Sequence, residues 1–312
     1  MPYVTGLANN ASDLLNAVVN AATNNGWSWD ASYSMLYKGD IYGRLTVSGL
    51  NLLVQAALGY SGSTLITPAD SMVGITDLLR ASGNTLLSYP LTYHIFIHTN
   101  PDDIIVAVNY QVMWWQWLAI GQARNFGVLG NAIWHWGTAV SYFDPANGVA
   151  VHVGGWTHSN WYNGHTAGAP FWQAYNNGGV KNSAIYLNFN GHGWWYNPLG
   201  DGNSPPNNAR ATIAAGTLLP TQPNTWNGEA VLVRIHIMAA QPSGFWSHVA
   251  ELPHLRMTRN DNINDGQILT LGSERWFVAP VYRKNTASRD GSFWNSANHS
   301  GTIAMAVRYD GP

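Results

Sequence analysis

Residues 91–108 read LTYHIFIH-TNPDD-IIVAV: two runs of β-branched and aromatic residues on either side of Asn100-Pro101-Asp102-Asp103. Runs of this kind bounded by an Asn-Pro-Asp cluster predict an antiparallel hairpin. Further β-type runs follow at 112–120, 132–140, 184–189, 231–238, 275–281 and 302–309. No repeat of fixed period joins them, which argues against a propeller or solenoid.

Upstream of the hairpin the pattern is mixed. Asn10 or Ser12 can cap a helix that places Leu14, Leu15, Val18, Val19 and Ala22 on one face, with Gly26 just past its end. Runs at 34–37, 41–47 and 51–56 are separated by Gly-containing turns and predict a three-stranded meander packed on that helix. Thr67, Pro68 and Asp70, with Arg80 and Gly83 at the far end, predict a second helix over 68–81. The expected fold is therefore mainly β, with antiparallel sheets of β-sandwich type, long aromatic loops and a small α+β N-terminal unit. The expected divisions are an α+β attachment unit at 1–60, a helix-containing connector at 61–89 and a β-rich domain at 90–312. Residues 197–229, rich in Pro, Asn and Gly, read as an arm or binding loop within it.

Composition narrows the function classes. Only 10% of the residues are charged and the formal net charge is −2, so a nucleic-acid footprint of clustered Lys and Arg is not expected. The chain has no cysteine, which excludes disulfides, thiolate metal sites and a cysteine nucleophile. The N-terminal MPYVTGLANNASDLL lacks a basic segment followed by an apolar one, so no cleaved leader is expected. No apolar run is long enough to predict a membrane span. Asn10 and Asn298 each begin an Asn-x-Ser triplet, read as chance matches in a chain without a leader.

Catalytic motifs are absent: there is no G-x-S-x-G elbow, P-loop, G-x-G-x-x-G or H-E-x-x-H. The three glutamates, Glu229, Glu251 and Glu274, form no pair in sequence, although a glycan hydrolase would need two carboxylates flanking one bond. The expectation is a protein that is not an enzyme and needs no cofactor. Histidines offer the best candidates for a hidden metal site. His94 and His98 share a face of the first hairpin strand, and Asp102 and Asp103 follow the turn. A second group, His152, His158 and His165, lies in a Gly- and Trp-rich stretch. The reading preferred for all of these is an imidazole bonded to backbone or water, with no metal.

Ten of the sixteen tryptophans fall between Trp114 and Trp195. Strand alternation places Trp115 and Trp117 on one face and Trp114 on the other, and puts Trp134 and Trp136 together, as parts of a β core. Trp156, Trp161, Tyr162, Trp172, Trp194 and Trp195 sit among Gly, Asn and His and are assigned to loops. There they are candidates for an intersubunit contact or for stacking on a sugar.

Three groups of segments carry a resemblance. They are Thr5–Asn9 with Asp13-Leu14-Leu15, Asn25-Gly26-Trp27 and Leu36–Gly39; Tyr93-His94-Ile95 with Asn100-Pro101-Asp102 and Gln116–Gly121; and Glu274–Asn285 with Ala304–Tyr309. Together they resemble structural proteins encoded among the tail and baseplate genes of tailed bacteriophages. The resemblance implies a non-enzymatic, homo-oligomeric virion component of the tail tip, baseplate or tail fibre, assembled in the bacterial cytoplasm. Its implied partners are copies of itself and neighbouring tail proteins. A receptor-binding adhesin that recognises host surface polysaccharide through the loop aromatics is the alternative, and a cell-wall hydrolase a third. The family brings no catalytic residues.

Overall fold

The computed structural model describes residues 2–76, 87–127, 130–144, 148–153, 169–171, 182–189, 191–196, 209–210, 231–241, 244–260, 262–282, 284 and 303–312. The expected class holds: the protein is mainly β, with antiparallel sheets and one helix among the described residues. Strands are numbered along the chain. The central sheet runs β1 (Tyr3–Ala8), β9 (Leu91–His98), β10 (Asp103–Gln111), β11 (Trp114–Gln122), β13 (Ile133–Gly137), β16 (Ser183–Phe189) and β17 (His192–Tyr196). The hairpin read from 91–108 supplies its second and third strands, with His98 facing Asp103 across the ladder.

A second sheet runs β15 (Gly148–Val153), β14 (Ala139–Asp144), β8 (Met72–Ile75), β5 (Asn51–Ala57), β4 (Ile41–Ser48), β3 (Met35–Lys38) and β2 (Ser28–Asp30). The third runs β18 (Ala209–Arg210), β19 (Val233–Ala240), β20 (Trp246–Arg259), β23 (Ile303–Arg308), β22 (Glu274–Pro280) and β21 (Gln267–Leu271), with β12 (Arg124–Asn125) also pairing β20. A small hairpin, β6 (Gly59–Ser61) and β7 (Thr64–Ile66), stands beside them. Helix α1 (Ala11–Thr23) is capped by Asn10, whose side chain accepts from the Asp13 amide at 2.8 Å. It buries Leu14, Val18, Ala21 and Ala22.

Alternation along the central strands explains why three layers form. Phe96, Ile105, Trp115, Trp117, Trp134 and Trp136 point one way, into a core shared with Ile235, Leu252, Met257, Phe277 and Met305 of the third sheet. Ile95, Ile97, Ile104, Val106, Leu118 and Ile120 point the other way, onto Leu36, Leu45, Leu52 and Val54 of the second sheet and onto α1. A sheet buried on both faces needs apolar residues at consecutive positions, which is what IIVAV and WWQWLAI supply. Gln116, inside that run, is fully buried and bonds both the N–H and the C=O of Thr76 at 2.8 Å.

Two sequence expectations are corrected. Residues 1–60 are not a separate unit, because β1 pairs β9 and the meander is extended by β8 and β14 into a sheet reaching residue 153. The helix expected over 68–81 is a strand at Met72–Ile75; its residues 77–81 lie outside the described ones. The physical reason is strand pairing within the second sheet together with its contact on the central sheet. A Cβ on Gly74 would sit 2.3 Å from the Leu52 carbonyl oxygen, and one on Gly137 would sit 2.2 Å from the Gly74 nitrogen, so the two backbones meet where only glycines fit. Of the arm expected at 197–229, only Ala209–Arg210 is described, as a strand paired with β19.

Candidate functional site

The turn between β9 and β10 brings two kinds of charge to one end of the central sheet. Asp102 forms an ion pair with Lys38 of β3 at 2.7 Å and ties the turn to the second sheet. Asp103 faces the third sheet instead. There its Oδ1 lies 2.5 Å from His98 Nδ1 and its Oδ2 lies 2.7 Å from His254 Nδ1. The two imidazoles stack with centroids 4.3 Å apart. Exposure is 1% for His98, 1% for Asp103 and 7% for His254, so this is a buried cluster bridging two sheets.

Local backbone features make room for it. Asp103 is opposite Gly121 in the β10–β11 ladder, and a Cβ at 121 would fall 2.3 Å from the Asp103 Cβ. His254 lies on β20 where the register against β19 jumps from Arg234–Arg256 to Ile235–Leu252, leaving Pro253, His254 and Leu255 as inserted residues. Such a bulge re-aims a side chain, and it also accommodates a proline inside a strand.

His98 is the cationic member. Its Nε2 faces the Arg308 carbonyl oxygen at 3.0 Å and its Nδ1 faces a carboxylate, so both nitrogens must donate. Burial opposes this charge, but the Asp103 carboxylate outweighs it and raises the His98 pKa above the usual histidine value. Burial would likewise push the Asp103 carboxyl up; the two imidazoles overcome it and hold the group at about 2. Neither imidazole is bonded to a hydroxyl among the described residues.

The sequence-derived set of His94, His98 and Asp102 is corrected by this geometry. His94 does share a face with His98, but its Nδ1 is hydrogen-bonded to the Tyr3 hydroxyl at 2.7 Å and its ring packs on Phe277 and Trp115. Burial lowers its pKa to about 4. Asp102 is occupied by Lys38. His98 is the member that remains, joined by Asp103 and by His254, which sequence reading did not single out. His158 and His165 lie outside the described residues, and His152 is placed only as part of β15.

The aromatic candidates divide. Trp156, Trp161, Tyr162 and Trp172 lie outside the described residues. Trp194 and Trp195 are not loop residues: both are buried on β17, at 7% and 0% exposure. The Trp194 indole N–H donates to the Thr67 carbonyl at 3.0 Å, and that of Trp195 to the His192 carbonyl at 3.2 Å. Tyr196 beside them accepts the Asp70 amide proton at 2.9 Å, so β17 anchors the segment leading into β8 and presents neither indole to a ligand.

A second histidine pair lies on the outer face of the third sheet, His236 Nδ1 and His248 Nε2 being 3.0 Å apart with Phe126 against His248. Next to it Glu251 is buried among Arg124, Arg234 and Arg256 at 3.4–3.8 Å. No protein-family model and no curated protein matches the chain.

Proposed function

We propose that the chain is a non-enzymatic structural component of a tailed-phage particle, stationed at the tail tip, baseplate or fibre and assembling with copies of itself and neighbouring tail proteins. One observation carries this reading: most of the segments that bear the resemblance fall on strands or on α1, while Asn25-Gly26-Trp27 and Asn100-Pro101-Asp102 fall at turns. Thr5–Ala8 is in β1, Asp13–Leu15 in α1, Leu36–Lys38 in β3, Tyr93–Ile95 in β9, Gln116–Gly121 in β11, Glu274–Pro280 in β22 and Ala304–Arg308 in β23. A three-sheet body of this kind, with an apolar core on each face of its central sheet, suits a load-bearing subunit. In a closed assembly about a tail axis its copies would be related by three-fold or six-fold symmetry.

The test is composition of the particle. Mass spectrometry of purified virions encoded with this chain should recover it in stoichiometric amount. Absence from particles, or release of soluble fragments from host envelope by the purified chain, would reject the structural role. Binding to host polysaccharide that is lost on Trp156→Ala, Trp161→Ala or Trp172→Ala would turn the reading toward an adhesin.

A further inference from the structure

From the geometry we infer that His98, Asp103 and His254 form a binding site for a divalent first-row transition ion, zinc being the first candidate. The three side chains come from β9, β10 and the bulge of β20, and their ligand atoms all lie within 4.8 Å of one another. Both imidazoles present the same nitrogen, Nδ1, to the same carboxylate. The remaining nitrogen of His98 is held by the Arg308 carbonyl, the outer contact that orients a metal-bound histidine and fixes its tautomer. Imidazole nitrogen with carboxylate oxygen is the donor set that suits zinc and its neighbours, and three protein ligands leave one position of a tetrahedral ion for water or an anion.

The backbone around the cluster is shaped for it in two independent places. Gly121 removes the Cβ that would occupy the space of Asp103, and the inserted residues 253–255 swing His254 out of the ladder. Burying three ionisable groups between sheets is costly, and apolar residues of like volume would hold the layers together at least as well. An ion gives those groups a purpose that packing does not. The present N···O separations of 2.5 and 2.7 Å are those of hydrogen bonds. Ligation with bonds of about 2.0–2.1 Å opens them to about 3.3 Å and displaces the protons now shared with Asp103. His236 and His248, by contrast, have no third ligand atom at comparable range among the described residues.

The experiment uses the full chain without a histidine tag, purified in metal-free buffer after growth with added zinc. Elemental analysis should find about one equivalent of a transition metal per chain, and Co²⁺ added after chelation should give the visible absorption of a tetrahedral N/O site. His254→Ala should lower the content at least tenfold, while His236→Ala leaves it unchanged. Where His254→Ala fails to fold, His254→Gln and the wild-type response decide: zinc should raise the thermal midpoint of chelated wild type but not of that variant. A wild-type chain that folds with under a tenth of an equivalent of metal, and whose midpoint ignores zinc and cobalt, overturns the inference. So does metal that persists in a folded His254 variant.

Discussion

Replacing Gly121 by alanine tests how tightly the buried cluster is built into the hairpin. The new Cβ would lie 2.3 Å from the Asp103 Cβ, 2.6 Å from its Cα and 2.7 Å from the Asp102 carbonyl oxygen. Carbon atoms in contact need about 3.5 Å, so β10 must retreat by about 1 Å at this point. Because the obstructing atoms are backbone or one bond from it, no rotamer change relieves the clash. Because β10 lies between β11 and β9, the retreat is toward β9: it compresses the 2.5 Å contact of Asp103 with His98 and misaligns its 2.7 Å contact with His254. Overpacking of this kind costs about 1–3 kcal/mol, and weakening charge-assisted bonds worth about 1.5–3 kcal/mol each adds to it. The expected loss is about 3 kcal/mol, a large share of the roughly 5–15 kcal/mol that holds a domain folded. Urea unfolding of chelated protein, followed by tryptophan fluorescence, measures it. If the cost runs through Asp103, Gly121→Ala and Asp103→Asn are strongly non-additive. A loss below about 1 kcal/mol, or simple additivity, would refute the reasoning.

Other outcomes follow from the two cores and their histidines. Trp117, fully buried, stacked on Trp136 and donating its indole N–H to the Pro280 carbonyl at 2.9 Å, should cost about 3–5 kcal/mol as Trp117→Ala by the same denaturation assay. Lys38→Met removes an ion pair whose side chains are 23% and 30% exposed, so its cost should stay near or below about 1 kcal/mol. Burial lowers the pKa of His94 to about 4 and of His135 to about 3, both beneath the unfolded value of 6.5. The unfolded chain therefore binds more protons across that window, and stability present above pH 6.5 is lost as pH falls toward 4 and then 3. For His94 the loss is on the order of 3 kcal/mol. Imidazole NMR should show His94 still neutral at pH 5.5, and titration near 6.5 would contradict its burial.

The parts legible in the sequence were those encoded locally. The 91–108 hairpin, the Asn10-capped helix and the opposite faces of Trp114 and Trp115 follow from turn residues and period-two alternation, and the structure keeps them. Reading broke down where distant strands decide. Met72-Val73-Gly74-Ile75 fits a helical period, yet Gly74 is there to meet Leu52 and Gly137. Trp194 and Trp195 read as loop residues because Gly191, Gly193 and Asn197 surround them, but pairing of β17 with β16 buries both. His254 was invisible for two reasons. Pro253 disguises a long strand as a break, and the partner carboxylate is 151 residues away, so no spacing announces the pair. A histidine beside a mid-strand proline is the one local sign of a bulge that could have drawn attention to it.

The central claim is a place in the virion, and a particle reconstruction tests it most directly. The account predicts density for the three-sheet body around the tail axis in three or six copies, with its central sheet enclosed by its own outer sheets and neighbouring subunits against its exterior. A reconstructed tail, baseplate and fibre in which every density is accounted for by other chains would contradict it.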